Sequence, residues 1–262
     1  MCQIYLHIGT LKTGTTSFQR WFSDHAESIA TTNAVRWYQG KFSDAREIAA
    51  ICLDPDRQSP SMPLGFFPPR HSSEWDTWEN EIRLNIAQQL SDHTSALLIS
   101  CEDLCLLRST DELTRLAELF PPEETSIILT LRNKKDFLKS WRQHLRNDFF
   151  RLSSDPTSFA YVKKNSWLVD YVSLISAYQQ TYGAQIVILN YDEAVLSEGS
   201  IIPALTRAAH LSDPLPNWSG YHFNKSNRPP RPPVKGLARP VHYIRFYRWK
   251  VFSSIKRRLS ST

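Results

Sequence analysis

Ile4-Tyr5-Leu6-His7-Ile8-Gly9-Thr10-Leu11-Lys12-Thr13-Gly14-Thr15-Thr16-Ser17 is the stretch that decides how this chain is read. An apolar run with strand character, Ile4 to Ile8, meets Gly9, passes through a loop holding Lys12, and enters a helix at Gly14 to Ser17. Gly9 and Gly14 permit backbone conformations closed to other residues and let a ligand approach the main chain. The first N–H groups of a helix lack intrahelical acceptors, and the helix dipole adds positive charge there, so a phosphate or a similar anion suits the turn. Lys12 brings a mobile positive charge, and Thr13, Thr15, Thr16 and Ser17 bring hydroxyl donors.

The nearest general template is the nucleotide P-loop, Gly-x-x-x-x-Gly-Lys-Ser/Thr. Gly9 and Gly14 keep the glycine spacing and Thr16 occupies the Ser/Thr place, but Thr15 follows Gly14 and the lysine lies inside the loop as Lys12. A magnesium–ATP kinase would need its lysine after Gly14. Lys12-Thr13-Gly14-Thr15-Thr16-Ser17, directly after a first strand, resembles the 5′-phosphosulfate loop of sulfotransferases that use 3′-phosphoadenosine 5′-phosphosulfate (PAPS).

Working outward, 262 residues suffice for one large α/β domain with a sizeable core. The formal net charge of +5 conceals an asymmetry. Of 31 Lys and Arg, 11 fall in residues 221–262, which contain no Asp or Glu, leaving 20 basic against 26 acidic groups in residues 1–220. The four cysteines, Cys2, Cys52, Cys101 and Cys105, lack metal-binding spacing, so no zinc site and reduced thiols are expected. With no signal-peptide pattern at the N-terminus and no apolar run near the roughly 20 residues that span a bilayer, the expectation is a cytoplasmic protein.

Strand-like and helical segments alternate along the chain. A first helix is expected over about 14–28, a short edge strand over 34–38, and helical spacing over 42–53. Prolines at 55, 60, 63, 68 and 69 mark a long loop over 54–73, which suits either a binding lid or a solvent-exposed excursion. Trp75, Trp78, Ile82, Ile86 and Leu90 recur at helical spacing over 73–93 and read as a core stripe. Residues 95–100 form a strand that delivers Glu102 and Asp103 at its carboxyl end, where ligands bind in open α/β sheets. Helices are expected over 111–120, from 134 to 147, over 167–182 and over 201–210, and strands over 126–131 and 185–190. The fold class is therefore α/β: a P-loop-like three-layer sandwich with a central, mostly parallel sheet flanked by helices. Residues 1–227 form one domain, followed by a basic, proline-rich arm and an aromatic C-terminal helix over 228–262.

A second constellation lies at Arg132-Asn133-Lys134-Lys135-Asp136-Phe137-Leu138-Lys139-Ser140. Arg132 ends a strand, and Ser140 lies about two turns along the next helix, where its side chain can return to the strand end. A guanidinium and a hydroxyl converging there can hold a phosphate, although a surface arginine and a solvated serine would give the same letters. The segment resembles the 3′-phosphate motif of PAPS-dependent sulfotransferases, with Arg132 and Ser140 matching in type and spacing. Ile99-Ser100-Cys101-Glu102 is similar to the version found in bacterial and heparan-type branches, in which an acidic residue is the general base. Phe223-Asn224-Lys225-Ser226-Asn227 sits where family members carry a loop that closes over the nucleotide. The resemblance covers residues 1–230.

That resemblance implies PAPS as co-substrate, no metal, and sulfuryl transfer to a hydroxyl or amine, with a carbohydrate or glycolipid acceptor favoured. Catalysis then falls to Lys12, neutralising the bridging oxygen, and to Glu102 as base, with His144 and His7 as competitors. Cofactor binding falls to Gly9, Lys12, Thr13, Gly14, Thr15, Thr16, Ser17, Arg132, Ser140 and Lys225. Two other classes fit parts of the sequence. A P-loop kinase of nucleosides or small molecules predicts preference for magnesium–ATP. A nucleic-acid-binding module would act through the basic residues of 221–262, and membrane contact through 241–259, where aromatic and aliphatic residues interleave with Arg and Lys. The tail suits docking on the acidic body, self-association or peripheral contact with the inner face of a membrane, and the site loops leave no role for nucleic acid.

Overall fold

In the first strand, β1 (Ile4–Gly9), Ile4, Leu6 and Ile8 enter one hydrophobic core, while Tyr5 packs against a second and His7 meets Phe18 of that second core. Successive side chains of a strand point to opposite faces, so a strand apolar on both is a central one, covered above and below. The structure, a computed structural model, describes residues 2–92, 95–148, 150–183 and 186–221. After β1 come α1 (Thr15–Asp24), α2 (Ala26–Asn33), β2 (Val35–Trp37), α3 (Arg46–Cys52), α4 (Ser73–Leu90), β3 (Ala96–Ser100) and α5 (Thr110–Leu119). Then follow β4 (Thr125–Leu131), α6 (Lys134–Asn147), α7 (Tyr171–Tyr182), β5 (Ile186–Asn190), α8 (Tyr191–Glu198) and α9 (Ile202–Ala208).

The five strands lie in the order β2-β3-β1-β4-β5, and every neighbouring pair is parallel. The expected α/β sandwich with a parallel central sheet is present. Leu97, Ile99, Ile127 and Leu129 face the first core with Ile48 of α3, Ile82 of α4, Leu113 of α5, Trp141 of α6 and Leu174 of α7. Leu98 and Ile128 face the second core with Phe18 and Trp21 of α1, Ile29 of α2, Ala194 of α8 and Leu205 of α9. Each fully buried Leu or Ile contributes about 1.5–3 kcal/mol by removal from water, which holds the strand ends in one fixed array. Among the described residues no helix is long and apolar enough to cross a membrane, and the four cysteines are buried and unpaired.

Several expected boundaries shift for local reasons. The helix expected over 14–28 divides at His25, whose φ of −120° breaks the helical path between α1 and α2. Helical spacing from 42 becomes helix only at Arg46, because Ala45 turns into the left-handed region at φ 51°. The segment from Trp167 starts as a 3-10 turn, and α7 begins where the Asp170 side chain accepts from Ser173 N. Helix α8 was not expected: its eight residues carry little periodicity, and its start is fixed by Asn190, which accepts from Asp192 N and Glu193 N. The tryptophan stripe is core, with Trp75, Trp78, Ile82 and Ile86 all buried on α4. Lys225, the arm at 228–240 and the stretch at 241–259 lie outside the described residues.

The proline-rich loop is tied down at its start. Glu112, fully buried on α5, accepts from Asp54 N at 3.0 Å, Arg108 N at 2.7 Å, Ser109 N at 3.0 Å and Arg57 Nη1 at 2.6 Å. Removing one partner of such a pair strands the other groups, and Glu112→Ala is expected to cost about 3–5 kcal/mol in urea unfolding. A loss below about 1 kcal/mol would show that water replaces the carboxylate.

Candidate functional site

The loop after β1 is held by its neighbours at several points. Thr10 donates from N at 2.9 Å and from Oγ1 at 3.1 Å to the Thr130 carbonyl of β4, and Thr13 Oγ1 donates to the Thr10 carbonyl at 2.6 Å. Lys12 adopts φ 71° and Gly14 φ 76°, so two left-handed residues fold the chain into a tight concavity before α1. Among the described residues the backbone N–H groups of Thr15 and Thr16 meet no protein acceptor, as the first turn of a helix requires. A Cβ on Gly9 would stand 2.7 Å from Thr15 Oγ1 and 2.8 Å from Thr13 Oγ1, so only glycine leaves room for both hydroxyls. Thr13, Thr15 and Ser17 are buried, Lys12 is half-buried and Thr16 is exposed.

Arg132, just past the end of β4, reaches this loop directly: its Nη1 donates to the Lys12 carbonyl at 2.8 Å. The second motif therefore braces the left-handed turn of the first. The guanidinium also lies 5.1 Å over the Tyr191 ring and pairs with Asp192 at 3.8 Å, while its buried Nε closes no hydrogen bond. Ser140 is half-buried on the second turn of α6, and no direct hydrogen bond joins it to Arg132. Asn133 caps α6, accepting from Lys135 N at 3.0 Å.

Three residues beyond those read from the sequence complete this wall. Tyr191 lies 3.2 Å from where a Gly14 Cβ would be, and Asp192 accepts from Asn133 N at 2.6 Å, so the β5–α8 junction joins both motifs. Tyr171 lies beside Thr10 and Arg132; its hydroxyl closes no hydrogen bond, and burial pushes its ionisation up to about 12. The available signal was position, because Tyr191-Asp192 follows directly on Asn190, the end of the last strand.

Glu102 opens the 3-10 turn Glu102–Leu106 at the carboxyl end of β3. It keeps some contact with solvent, although protein surrounds it on most sides. Burial raises its affinity for a proton and Asp44 adds to this, while Lys12, Arg46 and Thr15 favour its charged form. Thr15 Oγ1, buried and without a closed hydrogen bond, faces that carboxylate. His144 on α6 is half-buried, stacks near Trp141 and lies 3.4 Å from Asp148. Burial lowers its basicity first and the Lys12 charge lowers it further, against the opposing pull of Asp148. Lys12 thus lies within electrostatic reach of both Glu102 and His144.

His7 takes no place in that group. It is fully buried, its Nδ1 shares a hydrogen bond with Ser100 Oγ at 2.8 Å and its Nε2 one with Thr130 Oγ1 at 3.1 Å, and burial lowers its pKa to about 3. Both nitrogens are occupied and the ring stays neutral, so His7 ties β1 to β3 and β4 and is not a candidate base. Among the described residues no group of three or more His, Cys, Asp or Glu is placed to hold a metal ion.

No protein-family model matches the chain, and no curated protein matches it by sequence. Solved structures match it by fold. Retinol dehydratase in complex with androsterone and inactive cofactor PAP aligns at TM-score 0.31 and 9% identity, over 83% of this chain and 62% of that one. The sulfotransferase domain from the curacin biosynthetic pathway aligns at TM-score 0.45 and 9% identity, over 81% and 75%. A sulfotransferase from Alicyclobacillus acidocaldarius aligns at TM-score 0.55 and 14% identity over 84% of this chain and 85% of that one, and with it this chain shares its fold.

Proposed function

We propose that the protein is a PAPS-dependent sulfotransferase. The observation that carries this reading is the hydrogen bond from Arg132 to the Lys12 carbonyl, which puts the two phosphate-type motifs side by side at the carboxyl ends of β1 and β4. The N–H groups from Thr13 to Thr16 and the neighbouring hydroxyls hold the 5′-phosphate, and Arg132 with Ser140 and Lys225 holds the 3′-phosphate. When bound, PAPS supplies the sulfuryl group. Lys12 neutralises the charge that develops on the bridging oxygen, and Glu102 accepts the proton of the acceptor hydroxyl or amine. Positioning and electrostatics supply most of the acceleration, as in phosphoryl transfer. Lys12 inside the loop rather than after Gly14 favours this chemistry over a magnesium–ATP kinase. A carbohydrate or glycolipid is the acceptor class favoured.

Binding of adenosine 3′,5′-bisphosphate (PAP) against AMP tests the reading, since the two differ only by the 3′-phosphate. Calorimetry is expected to show PAP bound at least about tenfold more tightly, the worth of a charge-assisted hydrogen bond, and Arg132→Ala is expected to abolish that preference. Equal affinities, or tighter binding of magnesium–ATP, would favour the kinase instead. Transfer of labelled sulfate from PAPS to an acceptor library then identifies the product.

A further inference from the structure

Beside Glu102, the turn after β3 is tied to a hydrogen-bonded network that the proposed roles leave unused. Arg46, the first residue of α3, is gripped by Asp44, with Nε 2.8 and 3.0 Å from the two carboxylate oxygens and Nη2 on the same group. Its guanidinium also lies 5.7 Å from the Phe42 ring centre and 4.9 Å from that of Phe66, a contact that favours the cation. Nη1 donates to Ser61 Oγ at 3.2 Å, and Ser61 donates to Asp103 Oδ2, also at 3.2 Å. Asp103 is buried and adjoins Glu102 in the same turn. Three separate segments therefore converge: the start of α3, the proline-rich loop and the turn after β3.

We propose that Arg46 is a positioning residue for Glu102: through Ser61 it fastens the proline-rich loop to Asp103, and so fixes the turn on which Glu102 sits and holds a cation beside its two carboxyls. The inference rests on Glu102 as the base. Burial, then repulsion from Glu102, moves Asp103 up to about 7, with Arg46 opposing. On Arg46 burial works against the charge, but the hydrogen bonds and charge of Asp44 outweigh it and raise its pKa. The other ionisable groups facing the pair are Lys12 from the β1–α1 loop, Asp44, and the thiols of Cys101 and Cys105, which burial keeps protonated. The cation beside the pair is thus held in place by a carboxylate and two rings. The base and the proline-rich loop are then ordered together.

The test is carboxyl ¹³C NMR of the full chain labelled at Asp and Glu, with the two signals assigned by Glu102→Gln and Asp103→Asn. Arg46→Gln is expected to raise the proton affinity of both carboxyls about tenfold or more, and Arg46→Lys to restore most of it. Ser61→Ala, a milder change that leaves the guanidinium in place, is expected to raise Asp103 and leave Glu102 nearly unmoved. Unchanged titrations in both Arg46→Gln and Ser61→Ala, in protein that still binds PAP, overturn the inference and leave the sulfotransferase reading standing. Titrations that move as expected in protein that never binds PAP support the positioning role of Arg46 and overturn the sulfotransferase reading instead.

Discussion

Lys12→Ala is expected to lower sulfuryl transfer by about 10²- to 10³-fold while weakening PAPS far less than PAP, because the charge it offsets appears only as the S–O bond breaks and then stays on the 5′-phosphate of PAP. The backbone should survive the change. At φ 71° alanine is no better accommodated than lysine, and the turn is held from outside by Arg132 on the Lys12 carbonyl, a bond indifferent to the side chain. Single-turnover transfer of labelled sulfate from PAPS, beside calorimetry with PAPS in the absence of an acceptor, separates the two effects. A joint loss of binding and rate would make Lys12 a ground-state phosphate ligand; an unchanged rate would remove it from the mechanism. An independent mark of its position is His144, whose basicity the Lys12 charge depresses. In Lys12→Ala the imidazole should titrate at higher pH by proton NMR.

Glu102→Gln carries the second large effect. Loss of a general base costs about 10²- to 10⁴-fold, and glutamine keeps the shape of the side chain, so PAP affinity should be unaltered. The pH dependence follows from the environment of Glu102. Burial raises its midpoint above the ordinary carboxylate range, and only the ionised form accepts a proton, so transfer should fall as pH drops through that raised midpoint. The acid limb should vanish in the glutamine variant. If Glu102→Gln stays active and His144→Gln does not, the base is His144, which stands within reach of the same lysine.

The strand–loop–helix turn that carries the proposed anion site was legible in the letters because its geometry is local. Gly9, Lys12 and Gly14 act within one turn of chain, and the structure shows why two of them resist replacement: Gly9 faces two hydroxyls, and Gly14 takes φ 76° beneath Tyr191 and Ile201. Strands β1, β3, β4 and β5 were legible from apolar runs bounded by turns. Helix α8 was not, since capping by Asn190 rather than periodicity defines it. His7 shows the limit from the other side. A histidine on a strand beside the β1–α1 turn could be a base or simply packed, and the structure finds its two ring nitrogens bonded to Ser100 and Thr130 on the flanking strands.

What the sequence determined alone was the α/β class, the glycine-bounded turn after β1 that holds Lys12, and the second basic motif after β4, all from features within a few residues. Tertiary structure decided which distant groups share a space: Arg132 with Lys12, Tyr191 with Gly14, Glu102 with Lys12 and Arg46. Those pairings depend on strand order and register, which place residues some 120 positions apart at hydrogen-bonding distance. Strand order is set by how two cores pack on opposite faces of one sheet, a property of the whole chain that no local stretch carries.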